Sequence, residues 1–312
     1  MEDRIHDHEL DTSEGIVRAL LASQLPAWAD ATMARLDSSG TTNALWRLTG
    51  ADGSRAVARL PRMESGAAGI ETESALLPAL AATDLGRRFR LPELVHVGRP
   101  QDAYPLPWLV STWLDGEDLW TLRDAPAARS HELADDLAAI VASIGSLQGL
   151  AAPDRAPGSR GGPLRELLEQ LRRWLEDPRW RAADLVDVAA IGRLADEAAE
   201  VADGPTPRRF VHGDLIPGNL LVSDGRPTAI IDWGGAGHGD PAQDLAPAWS
   251  ILDHDLRRRF RDAVGADDAT WLRARTIELE HALGGVLYYR PRGHALGDVM
   301  ARTLDRILDD SI

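Results

Sequence analysis

The sequence predicts an α+β fold in which a small antiparallel sheet comes first and a mostly helical half follows. Between residues 32 and 115, short apolar runs alternate with turn-rich segments such as "DSSGTTN" and "TGADGS", the pattern of strands joined by tight turns. After "DGEDL" the apolar spacing becomes helical and stays so for most of the chain. At 312 residues the chain is long enough for two such parts, each with its own core. The expected division is residues 1–115 and residues 116–312.

The elements follow in order. "EGIVRALLASQL" has helical spacing, with Ser13 as the expected N-cap. Strands are expected near Thr32–Leu36, Ala44–Leu48 and Ala56–Leu60, then a helix over "AAGIETESALLPAL", then strands over "LPELVHVG" and "WLVSTWL". In the second half, "HELADDLAAIVASIGSLQGL" reads as a helix, "APDRAPGSRGGP" as a Gly-, Pro- and Arg-rich loop, and the run to Ala202 as two helices. "NLLVSDGRPTAIIDW" reads as a hairpin turning at Asp224 and Gly225. Helices are expected over most of 241–312, and no internal repeat is visible.

Composition excludes several functions. A net charge of −15 disfavours a nucleic-acid partner, whose phosphates need a basic surface, and favours a cationic ligand. There is no cysteine, hence no disulfide and no thiolate metal site. The start "MEDRIHDHEL" lacks the features of a signal peptide, and no apolar run approaches the roughly 20 residues of a spanning helix. The expectation is a cytoplasmic protein without a membrane partner, monomeric or dimeric. All 34 basic residues are Arg; Lys is absent.

The densest chemistry lies in "FVHGDLIPGNLL". The hairpin carries Asn219 in its first strand and delivers Asp232 after its second, two hard oxygen ligands suited to Mg²⁺. Asp214, just before the hairpin, is left to face a reacting hydroxyl. An Asp, an Asn five residues on and a metal-binding Asp after a hairpin form the arrangement used for phosphoryl transfer, with His212 at the position of the loop-supporting His. Asp240 and Asp244 are expected to cap and tie down the loop.

With these blocks, "HGDLIPGNLLV" and "AIIDWGGAGHGDPAQDLA", and with the supporting "SSGTTNALWRL", "VARLPR" and "LYYR", the chain resembles the aminoglycoside phosphotransferase family over nearly its whole length. That resemblance implies a bilobal protein-kinase-like fold, Asp214 as the catalytic carboxylate, and Asn219 and Asp232 as Mg²⁺ ligands. In such folds a Lys on the third strand pairs with a helix Glu at the nucleotide phosphates. Here the resemblance puts Arg59 and Glu73 in those places, with Arg62 in reserve. It also places Ser39, Gly40 and Thr41 over the phosphates, and the Thr112 carbonyl and Leu114 N–H against the base of ATP or GTP.

Only seven residues separate Asp232 from Asp240 of "GDP", too few for a peptide-docking segment, so the expected acceptor is a small molecule. Asp115, Glu117 and Asp118 open an acidic stretch suited to a cationic acceptor, and Tyr288 and Tyr289 are candidates to stack on a sugar ring. The leading expectation is an aminoglycoside-type antibiotic kinase that confers resistance. Its alternatives are a kinase for a macrolide or for a metabolite such as a sugar or amino alcohol, and a nucleotide-binding pseudokinase.

Overall fold

The computed structural model describes residue 6, residues 8–36, 42–123, 125 and 129–310. Two compact units divide them: residues 1–116 with 228–235, and residues 117–227 with 236–312.

The first unit is built on a five-stranded antiparallel sheet in the order β1-β2-β3-β5-β4, made from β1 (Thr32–Arg35), β2 (Asn43–Thr49), β3 (Arg55–Pro61), β4 (Leu94–Gly98) and β5 (Trp108–Thr112). Strand alternation sorts the side chains. Trp46 and Leu48 of β2, with Ala56, Ala58 and Leu60 of β3, share one buried cluster with Val17, Leu20 and Leu21 of α1 (Glu14–Gln24). Arg59 falls on the opposite face of β3 because side chains alternate with period two. Helix α2 (Ala67–Ala81) buries Ile70, Glu73, Leu77 and Leu80, a stripe at helical spacing that holds one carboxylate among aliphatic groups. A short helix, α3 (Asp84–Arg88), follows with a Thr83 cap.

Ser13 occupies the N-cap position of α1, but its side chain caps nothing; instead its own N–H donates to the Asp11 carboxylate at 2.8 Å. The segment Trp233–Gly235, which belongs to this unit, packs on α2. There the backbones approach closely: a Cβ on Gly234 would lie 3.0 Å from the Gly69 carbonyl oxygen.

The second unit is mainly helical. It contains α4 (His131–Gly145), α5 (Leu164–Glu176), α6 (Val188–Ala199), α7 (Pro247–Ser250), α8 (His254–Val264), α9 (Asp268–Tyr289) and α10 (Ala295–Leu308). Side-chain caps from Ser130, Asp187, Asp253 and Asp267 satisfy first-turn N–H groups of α4, α6, α8 and α9. Helix α9 is buried on nearly every side, as its weak apolar periodicity requires of a central helix. Two short strands, β7 (Arg209–Val211) and β10 (Gly237–Gly239), pair antiparallel. β6 (Glu117–Asp118) pairs with β8 (Leu220–Ser223), which Asp224 and Gly225, both left-handed, join to β9 (Arg226–Ile230). Asn219 closes a single helical turn, Pro217–Asn219, ahead of β8 rather than lying in the strand. The proline at the head of that turn favours it over extended backbone. Among the described residues, no helix is long and apolar enough to cross a membrane.

Because the atoms facing Gly234 are backbone, Gly234→Ala is expected to cost about 1–3 kcal/mol by overpacking, read as a lowered denaturation midpoint. A midpoint equal to wild type would mean that the Gly69–Gly234 approach is not a tight contact.

Candidate active site

In the first unit the side chains converge on Arg59. Its Nη1 donates to Glu73 Oε2 at 2.5 Å and its Nη2 to Asp232 Oδ1 at 2.6 Å. Burial opposes the charge on Arg59, but Asp232 and Glu73 outweigh it and hold the pKa above the ordinary arginine value. Glu73 is wholly buried, and that burial pushes its carboxyl up despite the adjacent guanidinium. The Trp233 backbone also hydrogen bonds to Glu73, so the residues around Asp232 are tied to the same carboxylate. Asp232 itself has φ +65°, a left-handed conformation uncommon outside glycine and a frequent mark of functional positions. Its side chain is 36% exposed, against 1% for Glu73. Arg62 has a different partner, Glu9, at 3.0 Å.

Thr112 ends β5; its N–H donates to the Glu93 carbonyl and its hydroxyl accepts from the Glu93 N–H, both at 2.9 Å. Leu114 is half-buried just beyond it. Asp115 forms a two-pronged ion pair with Arg55, both contacts at 2.7 Å. Ser39, Gly40 and Thr41 lie outside the described residues.

In the second unit, β7 leads straight into "HGD". The loop is held from below by Asp244, whose carboxylate accepts from the His212 N–H at 2.7 Å and the Gly213 N–H at 2.9 Å. Burial raises the pKa of Asp244, with His212, the two N–H groups and Arg155 opposing. Gln243 donates to the Gly213 carbonyl, and Asp240 is held by Arg273 at 2.8 Å. Gly213 has φ +80°, a turn that a side chain would strain. His212 is fully buried and its Nδ1 accepts from the Asp214 N–H at 3.3 Å. It supports the loop and presents no ring nitrogen to solvent.

Asp214 is thereby turned outward, with its side chain 30% exposed. The Asn219 amide nitrogen donates to the Asp214 carbonyl at 2.8 Å and to Oδ2 at 3.2 Å. Both donors of that amide point at Asp214, so the remaining Asn219 atom is a carboxamide oxygen, a hard acceptor suited to Mg²⁺. The Asp232 carboxylate has the same chemistry. Among the described residues, no group of three or more His, Cys, Asp or Glu forms a metal cage. Each of these oxygen donors, taken by itself, fits an ion that takes most of its ligands from phosphate and water.

Two features here were not singled out from the sequence. Arg160, in the Gly-rich loop, has Nη1 at 3.6 Å from Asp214 Oδ1. Helix α9 holds Glu278 and Glu280, both buried; Gln170 of α5 donates to Glu280 at 2.9 Å, and His281 lies 3.3 Å from Glu278. Burial raises the pKa of Glu280, with Arg160 the main opposing charge. Two acids inside the largely apolar stretch "TIELEHALGGV" were the available signal.

The acceptor candidates named from the sequence make local contacts of their own. Asp118 accepts from the Thr121 N–H at 2.7 Å, and Glu117 is exposed on β6. Farther along the acidic stretch, Asp135 pairs with Arg259 and Asp136 with Arg226. Tyr288 and Tyr289 pack edge to face at 4.9 Å at the end of α9, with the Arg292 guanidinium 3.8 Å from the Tyr288 ring centre.

Residues 34–278 match the phosphotransferase enzyme family. The chain belongs to this family. It is accordingly an enzyme, a phosphotransferase, as "HGD" and "IDW" implied. It is 29% identical to viomycin phosphotransferase of Streptomyces vinaceus over 247 residues, 77% of this chain and 83% of that one. It is 27% identical to hygromycin-B 4-O-kinase of Escherichia coli over 169 residues, 50% of this chain and 46% of that one. Among solved structures it resembles the GDP and kanamycin complex of APH(2")-IIia, with TM-score 0.70 and 20% identity over 95% of this chain and 99% of that one. The macrolide 2'-phosphotransferase MphH from Brachybacterium faecium is also similar, with TM-score 0.58 and 21% identity over 88% and 92% of the two chains. These structural likenesses establish the bilobal kinase-like α+β fold.

Asp244→Ala leaves two buried N–H groups without an acceptor, each worth about 1–3 kcal/mol. Turnover is expected to fall at least about tenfold as Asp214 loses its fixed orientation, with a lower melting temperature. Wild-type turnover in a stably folded Asp244→Ala enzyme would show that the loop does not depend on this carboxylate.

Proposed function

We propose that this phosphotransferase moves the γ-phosphoryl group of ATP or GTP to a hydroxyl of a cationic, aminoglycoside-type antibiotic, with Mg²⁺ held by Asn219 and Asp232. The observation that carries the reading is the presentation of Asp214: a partly exposed carboxylate fixed by Asn219, on a loop anchored by Asp244. The acceptor oxygen attacks the γ-phosphorus, the bond from that phosphorus to the β-phosphate bridging oxygen breaks, and the hydroxyl proton passes to Asp214. When bound, Mg²⁺ neutralises charge on the phosphate oxygens. Arg59, braced by Glu73, is assigned to the nucleotide phosphates in place of Lys. Arginine keeps its charge in a buried setting and binds phosphate through a planar fork.

A cationic acceptor is favoured by Glu278 and Glu280, buried acids in the same unit as Asp214, and by the net charge of −15. The names of the curated relatives, viomycin phosphotransferase and hygromycin-B 4-O-kinase, point to antibiotics as the acceptor class. The direct test is a phosphorylation screen of viomycin, hygromycin B, kanamycin and a macrolide, each with ATP and with GTP. Product with a basic antibiotic supports the proposal; product with the macrolide alone, or with none, contradicts it.

Asp214→Asn is expected to lower turnover about a hundredfold or more while nucleotide affinity stays within about threefold of wild type. Equal turnover in the purified variant removes Asp214 from its role. Chelation is expected to abolish activity and added Mg²⁺ to restore it; turnover that persists without divalent ions contradicts the assignment of Asn219 and Asp232.

The raised pKa of Glu280 sets a pH dependence. Below that pKa the side chain is neutral and loses its attraction for a cation, so KM for a basic acceptor should rise on acidification, beginning above the ordinary glutamate value of 4.5. Glu280→Gln should show a high KM with that rise absent. A wild-type pH profile in the variant would rule Glu280 out as an acceptor contact.

A further inference from the structure

The helical unit has a basic cavity outside the catalytic constellation. Its volume is about 240 Å³, and it is lined by Trp120, Arg123, Arg129, Arg302, Arg306 and, from the catalytic loop, Pro217. Among the described residues, four guanidinium groups meet one lining carboxylate, Asp253, in a chain with 49 acidic residues and 34 arginines. Asp253 has a structural task already, accepting from the Leu256 N–H as the N-cap of α8. Some exposed arginines elsewhere have carboxylate partners, as Arg259 has Asp135 and Arg226 has Asp136. Among the described residues, Arg129, Arg302 and Arg306 form no ion pair with a carboxylate.

Geometry concentrates these charges. Val299, Arg302 and Arg306 recur at helical spacing on one face of α10. Arg306 is fixed by donating to the Trp249 and Ser250 carbonyls, each at 3.2 Å. Burial, with Arg257 and Arg302 nearby, lowers its pKa, so the site is electrostatically unfavourable as it stands. Arg123 and Arg302 both lie over the Trp120 ring, at 4.7 Å and 5.4 Å from its centre. Cation–π contacts of about 0.5–1 kcal/mol order such side chains without neutralising them.

We propose that this cavity binds a small phosphate-bearing anion, of the size of inorganic phosphate, pyrophosphate or a short phosphate ester. Guanidinium groups favour phosphate through paired, charge-assisted hydrogen bonds. Several converging cations select a multiply charged anion over a monocarboxylate. The volume falls below the roughly 300–1,000 Å³ of sites for drug-sized ligands, which points away from a whole nucleotide. Pro217 lies between Asp214 and Asn219, so the bound anion rests against the loop that carries both.

The test is calorimetric titration of the full chain with inorganic phosphate and with pyrophosphate, in metal-free, low-salt buffer. Three proteins are compared: wild type, Arg129→Gln/Arg302→Gln, and Arg59→Ala. Arg129 and Arg302 are exposed, so the double variant should fold, and a melting curve without anion checks this. Wild type is expected to bind saturably, pyrophosphate more tightly than phosphate. The double variant should lose about tenfold or more in affinity, and Arg59→Ala, confirmed as folded by its melting curve, should retain the saturable binding that the double variant loses. Absence of saturable binding overturns the proposal, and so does an affinity lost with Arg59 but kept in the double variant, which would put the anion in the nucleotide site. A phosphate arm equal to the pyrophosphate arm overturns the claim that charge multiplicity selects the ligand.

Discussion

A buried arginine is the constraint on which the first unit depends. Removing a guanidinium from water costs several kcal/mol unless its charge is matched, and Arg59 lies on the inner side of a strand with only 9% of its side chain exposed. Two carboxylates are therefore drawn to it from different elements: Glu73 from the stripe of α2, and Asp232 from the end of the hairpin. Neither carboxylate is comfortable alone. Glu73 is wholly buried, and Asp232 takes a left-handed backbone. The three charges justify one another, and the close passage of Gly234 over Gly69 is the packing that accompanies the arrangement.

The second unit solves a related problem with a different device. A loop that turns an aspartate outward must leave backbone N–H groups pointing inward, and buried N–H groups need acceptors. Asp244 supplies both oxygens to His212 and Gly213, while Gln243 takes the Gly213 carbonyl. "GDPAQDLA" is thus the buried counterpart of "HGD". Asp214 can be exposed because Asp244 is not.

Sequence reading reached the strands, the long helices, the family and the hairpin turn because each leaves a local mark: alternation, helical spacing, Asp-Gly at a turn. Other features are set by tertiary contact and leave little. Ser13 stands where a cap is expected, yet Asp11 takes over the local hydrogen bonding. Asn219 lies in a proline-led turn before its strand, a shift of one element boundary. Arg160 sits in a loop whose composition said only that it was irregular, and its approach to Asp214 depends on how residues 151–163 cross the unit. The acids of 115–136 looked like one electrostatic surface in sequence. In three dimensions Asp115, Asp135 and Asp136 each meet a different arginine, whereas the buried acids lie on α9, hidden in an apolar run.

The absence of lysine gives the account its sharpest exposure, since it requires a buried arginine to anchor nucleotide phosphate while braced by a glutamate. The most direct measurement is the Mg²⁺-nucleotide Kd of wild type, Arg59→Lys and Arg59→Ala, each confirmed as folded by its melting curve. Loss of charge-assisted hydrogen bonds should raise Kd about 10–100-fold in the alanine variant, with the lysine variant recovering much of the loss. Equal affinity in a folded Arg59→Ala protein would contradict the account, because nucleotide phosphate would then be held without the residue around which the first unit is organised.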